Sequence, residues 1–177
     1  ERQKTAERPA VGDGQPEHLP EVEAAPADAP EAPGSTKHGT ETGMQDLVED
    51  LHERRDRAKL GGGEEKIAIQ HERGKLTARE RLDLLCDEGS FVELGIHGGP
   101  HFSQRAMEGR EAPADGVITG WGQVDGRPCA IAAYDFTVMA GSMGMTGELK
   151  VTRLREMALQ KRMPMVWLLD SAGARIQ

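Results

Sequence analysis

A chain of 177 residues, 37% of them apolar, has room for one modest domain, and its formal net charge of −8 has the wrong sign for a nucleic-acid-binding face. An acidic chain is not drawn to an anionic bilayer, no apolar run approaches the ~20 residues of a membrane span, and the first residues lack the basic-then-apolar order of a secretory signal, which predicts a cytoplasmic setting without a membrane or nucleic-acid partner. Cys86 and Cys129 stand far apart with no CxxC partner, so they read as small packing residues rather than a zinc site or a disulfide.

Residues 1–43 hold six of the ten prolines and no aromatic residue, with nine acids against four bases. A stretch such as HLPEVEAAPADAPEAPGSTKHG buries too little apolar surface to offset its ordering entropy, which predicts a disordered, acidic, Pro/Ala-rich tail. The pattern changes at Met44. In MQDLVEDLHERRDRAKL, Leu47, Val48 and Leu51 recur at helical spacing with charges around the rest. GGG at 61–63 breaks that helix, and EEKIAIQHERG predicts a second, shorter one. In KLTARERLDLLCDEG, Thr77 and Glu80 stand three apart as in a capping box, Leu82, Leu84 and Leu85 supply an apolar side, and Gly89 marks the stop. SFVEL then reads as a short strand, so residues 44–110 are expected to form a helical arm and a first strand. The arm's dense mixed charge suits a wet face, or one laid on a neighbouring subunit.

All six aromatic residues lie at or after Phe91, which places the main core in the second half. IHGGPHFSQRAMEGREAP reads as a loop. DGVITGWGQV and RPCAIAAYDF are strand-like runs joined at Asp125-Gly126, a two-residue hairpin signal. After the Gly-rich TVMAGSMGMTG, Thr146 is placed to cap a helix over GELKVTRLREMALQKR, on which Leu149, Leu154, Met157, Ala158 and Lys161 alternate between buried and wet sides. Pro164 ends it, and MVWLL is a continuous apolar run of the kind buried on both faces of a sheet. Strand, strand, helix, strand predicts an α/β fold with a parallel step across the helix. Trp121 and Trp167 read as core anchors.

Two turns carry candidate chemistry. In LLDSAGARIQ an apolar strand opens into Ala172, Gly173 and Ala174, which have little or no side chain. A turn at the carboxyl end of a parallel strand is where α/β folds place ligands, and unpaired N–H groups there, near the start of a following helix, could hold a carbonyl oxygen that becomes negative. The simpler reading is a tight turn serving packing, with Asp170 or Ser171 capping that helix. Ser171 lies outside any G-x-S-x-G and no histidine follows His101, so a serine hydrolase is disfavoured. Gly141, Gly144 and Gly147 have the spacing of a loop that lets a ligand close to backbone, but the Lys-Ser/Thr of a phosphate-binding P-loop is missing. Met139, Met143 and Met145 suit core filling or adaptable lining. His71, Arg73 and Lys75 form a basic cluster without metal-ligand spacing, read as a surface edge or subunit contact.

Taken in order, GGGEEKIAIQHERGKLTARERLDLLCDEGSFVELG, DGVITGWGQVDGRP, YDFTVMAGSMG and LLDSAGARIQ resemble the carboxyltransferase (beta) subunit of biotin-dependent acyl-CoA carboxylases, the propionyl-CoA and acetyl-CoA carboxylase group, over residues 44–177. The resemblance implies a crotonase-like fold of repeated strand-strand-helix units, with residues 111–177 as the first units of an N-terminal carboxyltransferase domain in a polypeptide roughly three times this length. It implies an enzyme that moves a carboxyl group from carboxybiotin, carried on a biotin carboxylase/biotin carboxyl carrier (alpha) subunit, to the α carbon of an acyl-CoA. It also implies a hexamer with active sites between subunits, and no metal in this chain. By position, Ala172, Gly173 and Ala174 are the implied backbone oxyanion donors, and Phe136, Thr137, Gly141 and Ser142 are implied to lie along the CoA. Many relatives read DSGGARIQ and DFTVFGGSL, so Ala172 stands here in a glycine position and VMAGSMGM replaces the commoner run. The same resemblance fits a biotin-dependent acyl-CoA decarboxylase running in reverse, and a chain this short fits a non-catalytic fragment that assembles only with full-length subunits.

Overall fold

The hairpin expected at Asp125-Gly126 is the centre of the sheet. The computed structural model describes residues 43–103 and 105–175, so the expectation for the tail falls, Gly43 apart, outside the described residues. Among the described residues, four α-helices, α1 (Met44–Lys59), α2 (Glu64–Glu72), α3 (Ala78–Leu85) and α4 (Met145–Lys161), accompany four strands, β1 (Val92–Leu94), β2 (Val117–Val124), β3 (Arg127–Tyr134) and β4 (Met165–Leu168). Short 3-10 turns occupy Arg105–Met107, Pro113–Gly116 and Met139–Gly141. The sheet runs in the order β1-β2-β3-β4, with antiparallel β1–β2 and β2–β3 pairs and a parallel β3–β4 pair reached through α4.

Asp125 and Gly126 both have left-handed φ, 50° and 70°, as a two-residue turn between twisted strands requires. The Asp87 carboxylate, just past α3, accepts both of their amides at 3.0 and 2.8 Å.

β3 reads RPCAIAAY because both its faces are covered. Ala130 and Ala132, with Val117 and Tyr134, meet Val151, Leu154 and Ala158 of α4. Ile131 and Ala133, with Ile118 and Cys129, meet Ala78 and Leu82 of α3 on the opposite face. Small alanines on the central strand let α4 approach, and burying a side chain such as Leu154 or Ile131 contributes about 2 kcal/mol. The third helix of the arm is thus one of the two layers that sandwich the sheet.

Several local expectations change. β4 is not buried on both faces: it pairs only with β3 among the described residues, and Trp167 and Leu169 are 39% and 62% exposed. Trp167 stacks on Tyr134 at 6.4 Å from this edge, and Trp121 is half-buried, so neither is a core anchor. α1 forms, but Leu47, Val48 and Leu51 stay exposed, because helical periodicity makes an apolar side without supplying its cover. The Thr77/Glu80 capping box closes α3 as expected, with Leu82 buried and Leu84 exposed. α3 stops at Leu85, where Cys86 turns extended, and Gly89 lies in the turn beyond. α4 starts at Met145 with Gly144 rather than Thr146 at its cap, and Leu149 is exposed while Leu154 and Ala158 are buried. Among the described residues no helix is long and apolar enough to cross a membrane.

Candidate functional site

Beyond β4 the chain runs beside the Gly-rich segment that follows β3. The Ala172 N–H donates to Ala140 O at 3.0 Å, Met143 N–H to Gly173 O at 2.9 Å, and Arg175 N–H to Met143 O at 3.0 Å. Ala174 therefore bridges Met143 in parallel, and no helix begins at Ala174 within the described residues. Gly141, at φ +63°, lies so close to Asp170 that a Cβ would be driven into its carbonyl oxygen. Met139 and Ala140 also hold left-handed φ, 50° and 53°, at roughly 1–2 kcal/mol each, so the crossing stores backbone strain.

A buried ion pair organises the crossing. Arg175 Nη1 lies 2.6 Å from Asp115 Oδ1, with the two side chains 4% and 0% exposed. Arg175 Nη2 donates to Asp115 O and Ser142 O, and Nε to Ser142 Oγ, all at 3.0 Å. The other carboxylate oxygen of Asp115 accepts the Gly147 N–H at 2.7 Å and so caps α4 from 32 residues away, where the helix dipole favours a negative charge. This long-range carboxylate is why the local Thr146 cap is not used. A Cβ on Gly144 would sit 2.6 Å from Arg175 Nη1, so that glycine makes room for the ion pair. Ala114 and Asp115 are themselves left-handed, at φ 52° and 53°. Lys150 Nζ holds their turn by donating to Ala114 O at 2.9 Å and Val117 O at 2.6 Å. Burial pushes the Lys150 amine down to about 8, against the opposing pull of Glu93 and Asp115.

The sequence-named residues are brought to one place, with different freedoms. Ala172 is exposed, but its N–H is held by Ala140. Gly173, at φ +114°, donates its N–H to Ser171 Oγ at 3.1 Å, so Ser171 closes a local turn instead of capping a helix. The Ala174 N–H has no acceptor among the described residues. Thr137 is buried; its hydroxyl donates to Asp135 Oδ1 at 2.6 Å and accepts the Gly62 N–H at 3.0 Å. The Ser142 hydroxyl donates to Met139 O at 2.7 Å. Gly141 is buried and Phe136 half-buried.

Asp170 faces the arm: Lys75 Nζ reaches its carboxylate at 3.1 and 3.3 Å, and Gln70 Nε2 at 3.4 Å. Lys75 also stands over the Phe136 ring, 5.2 Å from its centroid. The basic cluster thus divides: His71 goes to Glu80, and Lys75 goes to the site. Asp115, Arg175 and Lys150 were not singled out from sequence. The one signal for Arg175 is a long charged side chain set directly after a run of very small residues.

The carboxyl transferase domain family matches residues 69–177. The propionyl-CoA carboxylase beta chain of Roseobacter denitrificans is 46% identical over 134 residues, 76% of this chain and 26% of that protein. The methylmalonyl-CoA decarboxylase subunit alpha of Veillonella parvula is 44% identical over the same shares. A crystal structure of transcarboxylase 12S, a hexamer with methylmalonyl-coenzyme A and methylmalonic acid bound, is 45% identical with a TM-score of 0.74, covering 77% of this chain and 27% of that one. The chain therefore spans about a quarter of the length of these relatives, and its sheet and helices share part of their crotonase-like fold. A match over residues 69–177, which include the strand end and the Gly-rich segment, places this chain in the carboxyl transferase domain family.

Proposed function

We propose that these residues form the acyl-CoA side of a carboxyltransferase that moves a carboxyl group between carboxybiotin and the α carbon of an acyl-CoA. The observation that carries the reading is the Ala174 N–H, left without an acceptor among the described residues on a turn that the Asp115–Arg175 pair holds still. It stands past the carboxyl end of a parallel strand, the position at which α/β folds take ligands. As the α proton of a thioester leaves, negative charge gathers on the carbonyl oxygen. Ala174 N–H can donate to that oxygen, and Gly173 N–H can join it by exchanging its Ser171 partner. One such donor is worth about 10²–10³ in rate. Ala172 N–H, held by Ala140, fixes the turn. Phe136, Thr137, Gly141 and Ser142 present backbone and ring to a CoA arm, since both hydroxyls are engaged within the chain. Carboxybiotin, borne on an alpha subunit, supplies the activated carboxyl group when bound. The setting is the cytoplasm, and the assembly is a hexamer of whole subunits, as in the 12S relative.

The near-equal likeness to a methylmalonyl-CoA decarboxylase subunit favours a second reading in which the same turn serves the reverse reaction. The test uses the whole polypeptide that carries these residues, reconstituted with a biotinylated partner. Gly173→Val is expected to lower turnover at least about 10²-fold while the assembly keeps its size on gel filtration. A Cβ there meets nothing within 4 Å, so the effect is expected to act chiefly through the φ of +114°. Unchanged turnover would remove the turn from the mechanism. Release of CO₂ from a carboxyacyl-CoA, without net carboxylation of any acyl-CoA, would select the second reading.

A further inference from the structure

The end of α2 aims one lysine at the crossing. Gly74 takes a left-handed φ of 70°, its N–H donates to His71 O at 2.8 Å, and the Lys75 N–H reaches back to Gln70 O at 3.0 Å. This double return is the Schellman closure of a helix, and it fixes where the chain leaves the last turn. Lys75 is thereby set between two segments that follow neighbouring parallel strands, Phe136 after β3 and Asp170 after β4. Its Nζ lies 3.1 Å from Asp170 Oδ1 and 3.3 Å from Oδ2, and 5.2 Å from the centre of the Phe136 ring. The buried Gln70 adds a longer contact, Nε2 to Asp170 Oδ2 at 3.4 Å. Asp170 opens the run that leads to the Ala174 N–H. Downstream, that run is held at Arg175 by the buried pair with Asp115, and midway at Ala172 by Ala140 O. Upstream, its side-chain holds among the described residues come from the arm.

We propose that Lys75 is a positioning residue for carboxyl transfer: it holds the upstream end of the donor turn through Asp170, and the Phe136 ring with it, so that the helical arm sets the aim of the Ala174 N–H. Lys75 acts through Asp170 and touches no reacting atom. The inference rests on the carboxyltransferase reading. The Lys75 side chain is 50% exposed and that of Asp170 22%, and an ion pair this open adds little to stability, so its value lies in geometry. A catalytic group displaced by about 1 Å loses up to about 10²-fold in rate. Methionine at 75 keeps an apolar stem against Phe136 and loses the charge, whereas arginine keeps both charge and reach.

The test uses the whole polypeptide that carries these residues, reconstituted with a biotinylated partner, as wild type, Lys75→Met, Lys75→Arg, Asp170→Asn and the Lys75→Met/Asp170→Asn double variant. Lys75→Met and Asp170→Asn are each expected to lower kcat about 10–100-fold, with KM for acyl-CoA within about twofold of wild type and the melting temperature unchanged. Lys75→Arg should stay within about fivefold of wild-type kcat, and the double variant should be no slower than the slower single one, because the two residues act as a unit. Unchanged kcat in Lys75→Met would overturn the proposal, as would losses that multiply in the double variant. A raised KM at unchanged kcat would also overturn it, by placing the ammonium on the ligand. Hydrogen exchange followed by mass spectrometry separates this from failure of the carboxyltransferase reading: the backbone amides of residues 171–175 should exchange about 10-fold faster in Lys75→Met than in wild type. Equal exchange would overturn the positioning role and leave the carboxyltransferase reading standing. Faster exchange in a protein that neither carboxylates nor decarboxylates any acyl-CoA would keep the hold on the turn and sink that reading.

Discussion

Arg175 ends one strand's turn, yet its guanidinium reaches a carboxylate 60 residues earlier and a carbonyl and hydroxyl 33 residues earlier. Removing one partner of a buried pair leaves a naked charge, so Arg175→Met is expected to cost about 3–5 kcal/mol in urea unfolding. A loss below about 1 kcal/mol would mean that Asp115 finds water or another cation. Asp115→Leu with Arg175→Met should recover only part of this loss, because Asp115 also caps α4 through the Gly147 N–H. The sequence shows Arg175 only as a charge after a run of small residues, and nothing in it names the partner. A Coulombic partner leaves no local pattern, whereas a small-residue turn is visible in a few letters. Ala172, Gly173 and Ala174 therefore stand out in the sequence, whereas the difference in freedom among their three amides comes from the fold.

Elements were read well where a repeating pattern drives them, and poorly where a distant group finishes them. The four helices and the hairpin follow from apolar spacing and from Asp125-Gly126. The start of α4 depends on Asp115, and the burial of β4 depends on a neighbour that no pattern within β4 can report. Lys150 gives α4 a pH signature. Its folded-state value of about 8 lies below the ordinary lysine value of 10.5. Between those values the unfolded chain binds more protons, so this residue's contribution becomes more favourable as pH rises and is lost again as pH falls through 8. The stability of the wild type relative to Lys150→Met should rise by about 1–2 kcal/mol between pH 7.5 and 9.5. The neutral amine still has two N–H groups for its two carbonyl acceptors. A pH-independent difference would place the amine in water.

At the scale of the molecule, the sheet has one closed interior and one open side. Among the described residues the outer edge of β4 is unpaired, Trp167 within it and Leu169 just past it are exposed, and α1 shows Leu47, Val48 and Leu51. Unpaired edges and apolar stripes recruit partners, so the isolated 177-residue chain is expected to self-associate with rising concentration in sedimentation velocity. Trp167→Lys should shift it toward the monomer. A monomer at all concentrations would show that this edge attracts nothing. The central hairpin is fastened differently. Because Asp87 grips both amides at the tip of the hairpin, sliding β2 past β3 by one residue would forfeit two charge-assisted bonds and exchange the α3-facing set, Ile131 and Ala133, with the α4-facing set, Ala130 and Ala132. A single carboxylate outside the sheet therefore reinforces the alignment of the strands on which β4 is laid, and a misaligned tip would be passed on to that edge.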